Sequence, residues 1–190
     1  MLGEDGSPRR SEGEVPVTET ARLRLRRLTF ADSPFLVELL NDRDFLANIG
    51  DRGVHSIADA RRYLTNGPLA SYEQHGFGLY LMELKDPPTA IGMCGLLHRA
   101  SHPDVELGFA LLPGFRGRGY IQEAARATLQ LGMETLGLRV IVALAAPSNA
   151  ISAHILRRLG FLYDRRVHFT DDGGESCLFV LTRTPADSAP

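Results

Sequence analysis

The chain has 190 residues, with 21 basic and 23 acidic side chains and a formal net charge of −2. This length suits one domain with a sizeable core, and 44% hydrophobic residues is ordinary for a globular protein. A net charge so close to zero argues against a protein that binds nucleic acid over its whole surface. All basic residues except Lys85 are Arg, and because a coding bias explains that total, only their placement is informative.

The cysteines and histidines predict neither a disulfide framework nor a metal site. Cys94 and Cys177 are too few for either and lie in apolar runs, which favours reduced thiols in the core. The six histidines lack metal-ligand spacing. No apolar run reaches the roughly 20 residues that span a membrane, and no secretory signal is recognisable. We therefore expect a cytoplasmic protein with no metal.

The two ends of the chain differ in composition from its middle. Residues 1–19 are rich in Gly, Glu, Ser and Pro and have no apolar period, so we predict a disordered leader. Residues 184–190 predict a disordered tail for the same reason. No repeat or linker divides residues 20–183, which we expect to form a single domain.

The predicted elements of the first half are a strand, two helices and a strand pair. Alternation of Leu and Arg over Ala21–Arg27 predicts a half-buried strand. A capping-box-like start at Thr29–Asp32 predicts a helix, and a second helix follows Ser56 until Asn66-Gly67-Pro68 interrupts it. Two apolar runs joined by Asp86-Pro87-Pro88 then predict a hairpin. The runs are Phe77–Lys85 and Thr89–Leu97.

The second half predicts four strands and two helices. Val105–Leu112 is a predicted strand, and Tyr120–Leu136 carries apolar residues at helical spacing before Gly137 ends the helix. Leu138–Ala145 predicts a buried strand, and Ala150–Leu159 a short helix. Two further strands flank Asp171-Asp172-Gly173-Gly174, namely Phe161–His168 and Glu175–Arg183.

The order of these elements is β-α-α-β-β-β-α-β-α-β-β. Early hairpins together with a βαβ crossover in the middle predict an α/β fold with a mixed sheet, and they disfavour a doubly wound parallel sheet.

The loop between the fourth predicted strand and the following helix is the most informative local feature. It reads Pro113-Gly114-Phe115-Arg116-Gly117-Arg118-Gly119-Tyr120. Its glycines permit positive φ and a close approach of the backbone, and the first turn of the following helix offers free N–H groups to an anion. Arg116 and Arg118 could add charge-assisted hydrogen bonds to phosphate. We predict phosphate binding here, whereas the plainer alternative is a turn.

The spacing of the glycines disfavours two common nucleotide loops. A dinucleotide-binding fingerprint reads GxGxxG and has an acidic residue about 20 positions later. This loop reads Gly114-x-x-Gly117-x-Gly119, and Arg139 stands at the later position. No Lys-Ser/Thr pair follows, so the Walker pattern also fails. A nucleotide-dependent enzyme is therefore disfavoured.

With these motifs in order, residues 20–183 resemble the GNAT superfamily of acyl-CoA-dependent N-acyltransferases. In that family a [Gln/Arg]-x-x-Gly-x-[Gly/Ala] loop binds the pyrophosphate of coenzyme A, although Gly114 occupies the first position here. Other matches point to the RimJ/RimL-like branch, the ribosomal-protein N-terminal acetyltransferases and their relatives. These matches are Thr20-Ala21-Arg22-Leu23-Arg24-Leu25-Arg26, Glu106-Leu107-Gly108-Phe109, Asn149-Ala150-Ile151-Ser152 and Leu159-Gly160-Phe161.

The resemblance implies a mostly antiparallel sheet flanked by helices and an acetyl-CoA-dependent N-acetyltransferase. The acceptor amine would attack the thioester directly, and it would belong either to a protein N-terminus or to a small molecule such as a polyamine, amino acid or antibiotic. Its groove is expected at Asp42–His75 and Thr170–Glu175. The charges of the first segment are mixed and favour no acceptor class. They include Arg43, Asp44, Asp51 and Arg52. A homodimer is a further hypothesis, since members of the branch are often dimers.

Two side chains are candidates for catalysis. Alternation along the strand puts Glu106 on one face with Gly108 and Ala110, where its carboxylate could deprotonate the amine, act through a water, or anchor the acceptor's cation. The resemblance gives Ser152 the role of hydrogen-bonding the coenzyme sulfur, and Leu156 stands where many members carry a Tyr. The plainer alternatives are a solvated carboxylate and an ordinary serine on a helix face.

The remaining candidates are coenzyme contacts. Asn149 is expected to cap the following helix, and the resemblance also implies a bond to the pantetheine arm. The family's oxyanion donor is a backbone N–H on the fourth strand, for which Leu111 is the candidate. The other expected contacts lie in the glycine loop. They are Arg116, Gly117, Arg118, Gly119 and Tyr120.

A catalytically inactive coenzyme A-binding sensor is the alternative function from a different class. Glu106 and Ser152 are both present, which argues against it. Thiol release from acetyl-CoA with a panel of amines, set beside binding measured by thermal shift, separates the two hypotheses.

Overall fold

The structure, a computed structural model, describes residues 15–99, 103–168 and 174–183. The helices are α1 (Ser33–Leu40), α2 (Arg43–Asn48), α3 (Ile57–Leu64), α4 (Ala70–His75), α5 (Tyr120–Gln130) and α6 (Ala150–Arg158). The strands are β1 (Pro16–Glu19), β2 (Leu23–Arg27), β3 (Leu79–Lys85), β4 (Pro88–Leu97), β5 (Val105–Leu111), β6 (Val140–Ala145), β7 (Leu162–His168) and β8 (Glu175–Thr182).

These strands form one sheet in the order β1-β2-β3-β4-β5-β6-β8-β7. β5 and β6 run parallel, and the other neighbouring pairs run antiparallel. The prediction of a mixed, mostly antiparallel sheet flanked by helices is confirmed. β5 and β6 pair at Val105↔Ile141 and Glu106↔Val142, after which the two strands separate.

Helices cover both faces of the sheet, and each face has its own buried cluster. On one face α5 and α6 pack over β-strand residues such as Leu25 and Phe179. On the other face α1, α2 and α3 pack over Leu81 and Met93. Leu111 belongs to the first cluster and its neighbour Leu112 to the second, because side chains alternate along a strand.

The first strand corrects the predicted leader of residues 1–19. Pro16–Glu19 form β1 at the edge of the sheet, paired antiparallel with β2. Glu19 is paired with Arg24 at 3.1 Å and with Lys85 at 3.0 Å. Backbone pairing, ion pairs and the packing of Val17 against the core hold this strand, and four residues are too few to show a strand pattern in the sequence. Residues 1–14 and the predicted tail at 184–190 lie outside the described residues.

The helical segments also differ from the prediction. Asn66-Gly67-Pro68 does not break the chain path, because a wide π-type turn at Thr65–Leu69 joins α3 to α4. A similar turn at Leu131–Thr135 ends α5 earlier than predicted. The short α2 is a further helix, and Asp42 caps it by accepting from the amides of the first turn. No helix in the described ranges combines the length and apolarity needed to cross a bilayer.

Asp32 ties β2 to the start of α1. Its carboxylate accepts hydrogen bonds from the Arg26 guanidinium at 2.7 and 2.9 Å and from the amide of Thr29 at 2.8 Å. Burial alone would raise the pKa of Asp32, but these hydrogen bonds and the charge of Arg26 outweigh it and hold that pKa below its usual value. The ionised carboxylate therefore stabilises the fold.

We expect Asp32→Asn to lower the free energy of unfolding by about 2 kcal/mol near neutral pH. The contribution of a carboxylate with a lowered pKa is present above its unfolded value of about 3.9 and is lost as the pH falls through the folded value. The variant and the wild type should therefore converge in acid. Urea unfolding at several pH values measures this, with Asp86→Asn in an exposed turn as the control. A difference that persists in acid would contradict the assignment.

Candidate active site

A cleft of about 450 Å³ lies where β5 and β6 separate. Its walls come from α2, α3 and α4 on one side and from β5, the end of β6 and the start of α6 on the other. Glu106, Asn149 and Ser152 all line it. The structure therefore brings together three of the residues that the sequence identified as candidates. Its walls also include side chains from the predicted acceptor segment at residues 42–75.

Glu106 is the acidic group of this cleft. Its side chain is 11% exposed, and its Oε2 accepts a hydrogen bond from Nε of Arg99 at 2.6 Å. Arg99 precedes β5 and was not among the predicted site residues, because nothing in its local sequence indicates a partner across the turn. Arg99 thus holds one oxygen of a carboxylate that lines the cleft.

Ser152 lies in the first turn of α6. Oδ1 of Asn149 accepts from the Ser152 amide at 3.0 Å, so the prediction that Asn149 caps this helix is confirmed. Leu156, one turn later, is fully buried in the core. α6 contributes one hydroxyl to the lining of the cleft, that of Ser152.

Backbone N–H groups of β5 face the gap beside β6. The Leu112 amide donates to the Ile91 carbonyl at 2.9 Å, and β4 and β5 keep one register along their length. Because inter-strand bonds alternate in an antiparallel pair, the amides of Phe109 and Leu111 point away from β4. Both lie beyond the last β5–β6 pair at Glu106. Leu111 was the predicted oxyanion donor, but it is not among the residues that line the cleft, whereas Phe109 is, so the geometry adds Phe109 as a candidate.

The glycine loop is shaped as the sequence predicted. Gly117 and Gly119 have φ values of +74° and +79°, which strain any residue with a side chain. A Cβ added at Gly117 would meet nothing within 4 Å, so the outer surface of the loop is open. Gly119 is the N-cap of α5, and no side chain caps the first turn. The amides that begin with Tyr120 are therefore available to an anion.

Thr20 and Arg22, about 100 positions earlier in the sequence, contact this loop and the helix that follows it. Arg22 donates to the Arg118 carbonyl at 3.1 Å, pairs with Glu123 at 2.6 Å and lies 4.5 Å from the centre of the Tyr120 ring. Thr20 donates to Glu123 at 2.6 Å. Burial alone would raise the pKa of Glu123, but the bonds from Thr20 and Arg22 outweigh it and lower that pKa. Residues 20–26 match the family in sequence, and two of them, Thr20 and Arg22, hold the start of α5 in the structure.

Arg116, predicted to contact phosphate, pairs with carboxylates in the structure. Its two terminal nitrogens donate to Asp42 and Asp44, and its Nε donates to the Leu111 carbonyl at 3.1 Å. The carboxylates at the start of α2 thus form ion pairs with the guanidinium of Arg116 that was expected to bind phosphate. Arg118 is exposed and has no ion pair within the described ranges. It is the remaining side-chain candidate for phosphate in this loop.

Comparison with known proteins identifies the class of protein. The profile of the acetyltransferase (GNAT) domain matches residues 22–162, so the chain belongs to the GNAT acetyltransferase family. The uncharacterised N-acetyltransferase YnaD of Bacillus subtilis is 26% identical over 141 residues, which are 74% of this chain and 79% of YnaD. With the glycine loop and the cleft, these matches support an N-acetyltransferase that uses acetyl-CoA as the acetyl donor.

Two solved structures share the fold. An acetyltransferase from Agrobacterium tumefaciens is 26% identical with a TM-score of 0.76, covering 93% of this chain and 100% of that one. The spermidine N-acetyltransferase of Vibrio cholerae in complex with CoA and spermine has a TM-score of 0.71 at 17% identity, covering 86% of this chain and 96% of that one. At that identity the second likeness shows the fold alone.

We expect Arg118→Gln to weaken coenzyme A binding about fivefold, because one charge-assisted hydrogen bond to phosphate is lost. Arg116→Gln should change the affinity much less and should instead loosen α2. Isothermal titration with coenzyme A measures both variants, and Arg126→Gln on the exposed side of α5 is the control. A larger loss in the Arg116 variant than in the Arg118 variant would contradict this division of roles.

Proposed function

We propose that this protein transfers the acetyl group of acetyl-CoA to a primary amine bound in the cleft. The observation that carries the proposal is the convergence of Glu106, Ser152 and Phe109 on one cleft, with the Leu111 amide two residues further along the same edge of β5. These groups supply the three needs of acyl transfer, namely a base, a hydrogen-bond donor for the leaving sulfur and donors for the oxyanion.

The coenzyme would lie along the gap between β5 and β6. Its pyrophosphate fits the first turn of α5, where Gly117, Gly119 and Tyr120 offer backbone amides and Arg118 adds a cation. Asn149 could donate through its Nδ2, since its Oδ1 is used to cap α6. Acetyl-CoA supplies the thioester carbonyl. The open loop surface and the unpaired amides of β5 are what make this chain fit it.

The chain's own groups would then act at three atoms. Glu106 takes the proton of the amine directly or through a water, and the neutral nitrogen forms its bond to the carbonyl carbon. The amides of Leu111 and Phe109 hold the carbonyl oxygen while it carries negative charge. As the carbon–sulfur bond breaks, the electron pair leaves on sulfur, and the Ser152 hydroxyl donates a hydrogen bond to it.

The acceptor is either a protein N-terminus or a small amine. The motifs of the RimJ/RimL-like branch support the first, and the walled cleft supports the second. Homodimerisation and a cytoplasmic location remain part of the proposal. An inactive coenzyme A-binding module is the alternative, and binding of coenzyme A without thiol release on any amine would favour it.

We expect Glu106→Gln to lower kcat by about a hundredfold, since a positioned base contributes this much or more. The affinity for acetyl-CoA should stay close to that of the wild type, because Glu106 lies on the acceptor side of the site. Steady-state kinetics with saturating acetyl-CoA tests this. Glu73→Gln, on the exposed face of α4, is the matched control. An unchanged kcat would remove Glu106 from the mechanism.

We expect Ser152→Ala to lower kcat about tenfold, because the departing thiolate loses one hydrogen bond. The reaction should become more sensitive to the leaving group. Comparing acetyl-CoA with a thioester of a more acidic thiol measures this, since a better leaving group needs less help. Ser148→Ala, just before the cap of α6, is the control. Equal loss with both thioesters would indicate a structural role for Ser152.

A further inference from the structure

In the segment between α1 and α3, the acidic side chains lie outside the cleft and one basic side chain lines it. Asp42 and Asp44 pair with Arg116, outside the cleft. Asp51 accepts from the Gly53 amide at 2.7 Å and lies 3.3 Å from His55. None of these three carboxylates lines the cleft. The sequence therefore has mixed charge here, while the structure turns the acidic groups away from the cleft.

Arg52 is the charge of this segment that lines the cleft. It is half-buried, and one of its terminal nitrogens donates to the Ile49 carbonyl at 3.2 Å. No carboxylate within the described ranges pairs with it. Partial burial strengthens the pull of such a cation on an anion, because less water screens it.

The Tyr63 hydroxyl accompanies Arg52 in the same wall. Burial raises the pKa of Tyr63, and the charges of Arg52 and Arg99 partly oppose this, so both cations act on that hydroxyl. Tyr63 therefore keeps its proton at neutral pH and can donate it in a hydrogen bond. Arg52 and Tyr63 together offer a charged and a neutral donor to one acceptor group.

We propose that the acceptor is a small primary amine that also carries a carboxylate, which Arg52 and Tyr63 bind while the amine faces Glu106. This inference rests on the proposed function and names the acceptor class for the same cleft. Glu106 is the one carboxylate among the described residues of the lining, and Arg99 already pairs with it. Arg52, His75 and His98 add only neutral or positive charge. A polyamine would meet like charges there, whereas an amino acid would meet a partner for each end.

The test uses acceptors in matched pairs, each amino acid beside its carboxamide, with spermidine and C-terminally amidated peptides as further arms. Thiol release from acetyl-CoA gives kcat/KM for each acceptor. We expect the carboxylate member of the accepted pair to be preferred by about tenfold or more. Arg52→Gln should remove the preference mainly through KM, and Arg52→Lys should retain part of it. Arg61→Gln, an exposed neighbour on α3 outside this cleft, should change nothing.

The possible outcomes test the acceptor class, the role of Arg52 and the proposed function separately. Equal rates for carboxylate and carboxamide, or faster transfer to spermidine or to amidated peptides, would overturn the inference and leave the proposed function intact. A preference that survives Arg52→Gln would overturn the assignment to Arg52. Absence of thiol release with every amine would overturn the proposed function itself. Thermal shift with coenzyme A confirms that each variant is folded and still binds the donor.

Discussion

The separation of β5 from β6 is the constraint on which the site depends. A parallel pair that continued past Glu106 and Val142 would use the backbone groups of Phe109 and Leu111 for pairing and would close the cleft. Because β6 is held by β8 over its whole length instead, it can leave β5 without losing its own hydrogen bonds. The gap thereby provides unpaired amides and an open cavity within one continuous sheet, and α5 begins just beyond its end.

The loop at the start of α5 depends on contacts from far away in the sequence. Positive φ at Gly117 and Gly119 makes the turn available, but glycines alone would leave it loose. Arg22 contacts the Arg118 carbonyl, the Tyr120 ring and Glu123, and the turn between β1 and β2 thus stabilises the loop that is proposed to bind phosphate. Since Glu123 stays ionised in this arrangement, the brace persists well below neutral pH.

Sequence patterns over a few residues correctly predicted features that depend on neighbouring residues, such as strand alternation and helix capping. Alternation placed Glu106 correctly relative to Leu111, and the position of Asn149 before an apolar-spaced helix predicted a cap that the structure has. Contacts between distant segments could not be predicted in this way. Arg116 meets carboxylates 72 and 74 positions earlier, and β1 is held by its pairing with β2, by Lys85 and by Val17 against the core. Nothing in the local sequence of Arg116 distinguishes it from Arg118.

The positive charges that line the cleft would affect the protonation of an acceptor amine as well as the binding of a carboxylate on the same molecule. An acceptor amine reacts only when neutral, and nearby positive charge disfavours its protonated form. In the proposed reaction Arg52 therefore acts in the same direction as Glu106, because its charge lowers the basicity of the amine that Glu106 is proposed to deprotonate. For a polycation this effect would oppose binding, because each further ammonium group meets the same field. For an amine that carries a carboxylate, the charge that binds one end favours reaction at the other, so affinity and reactivity no longer conflict.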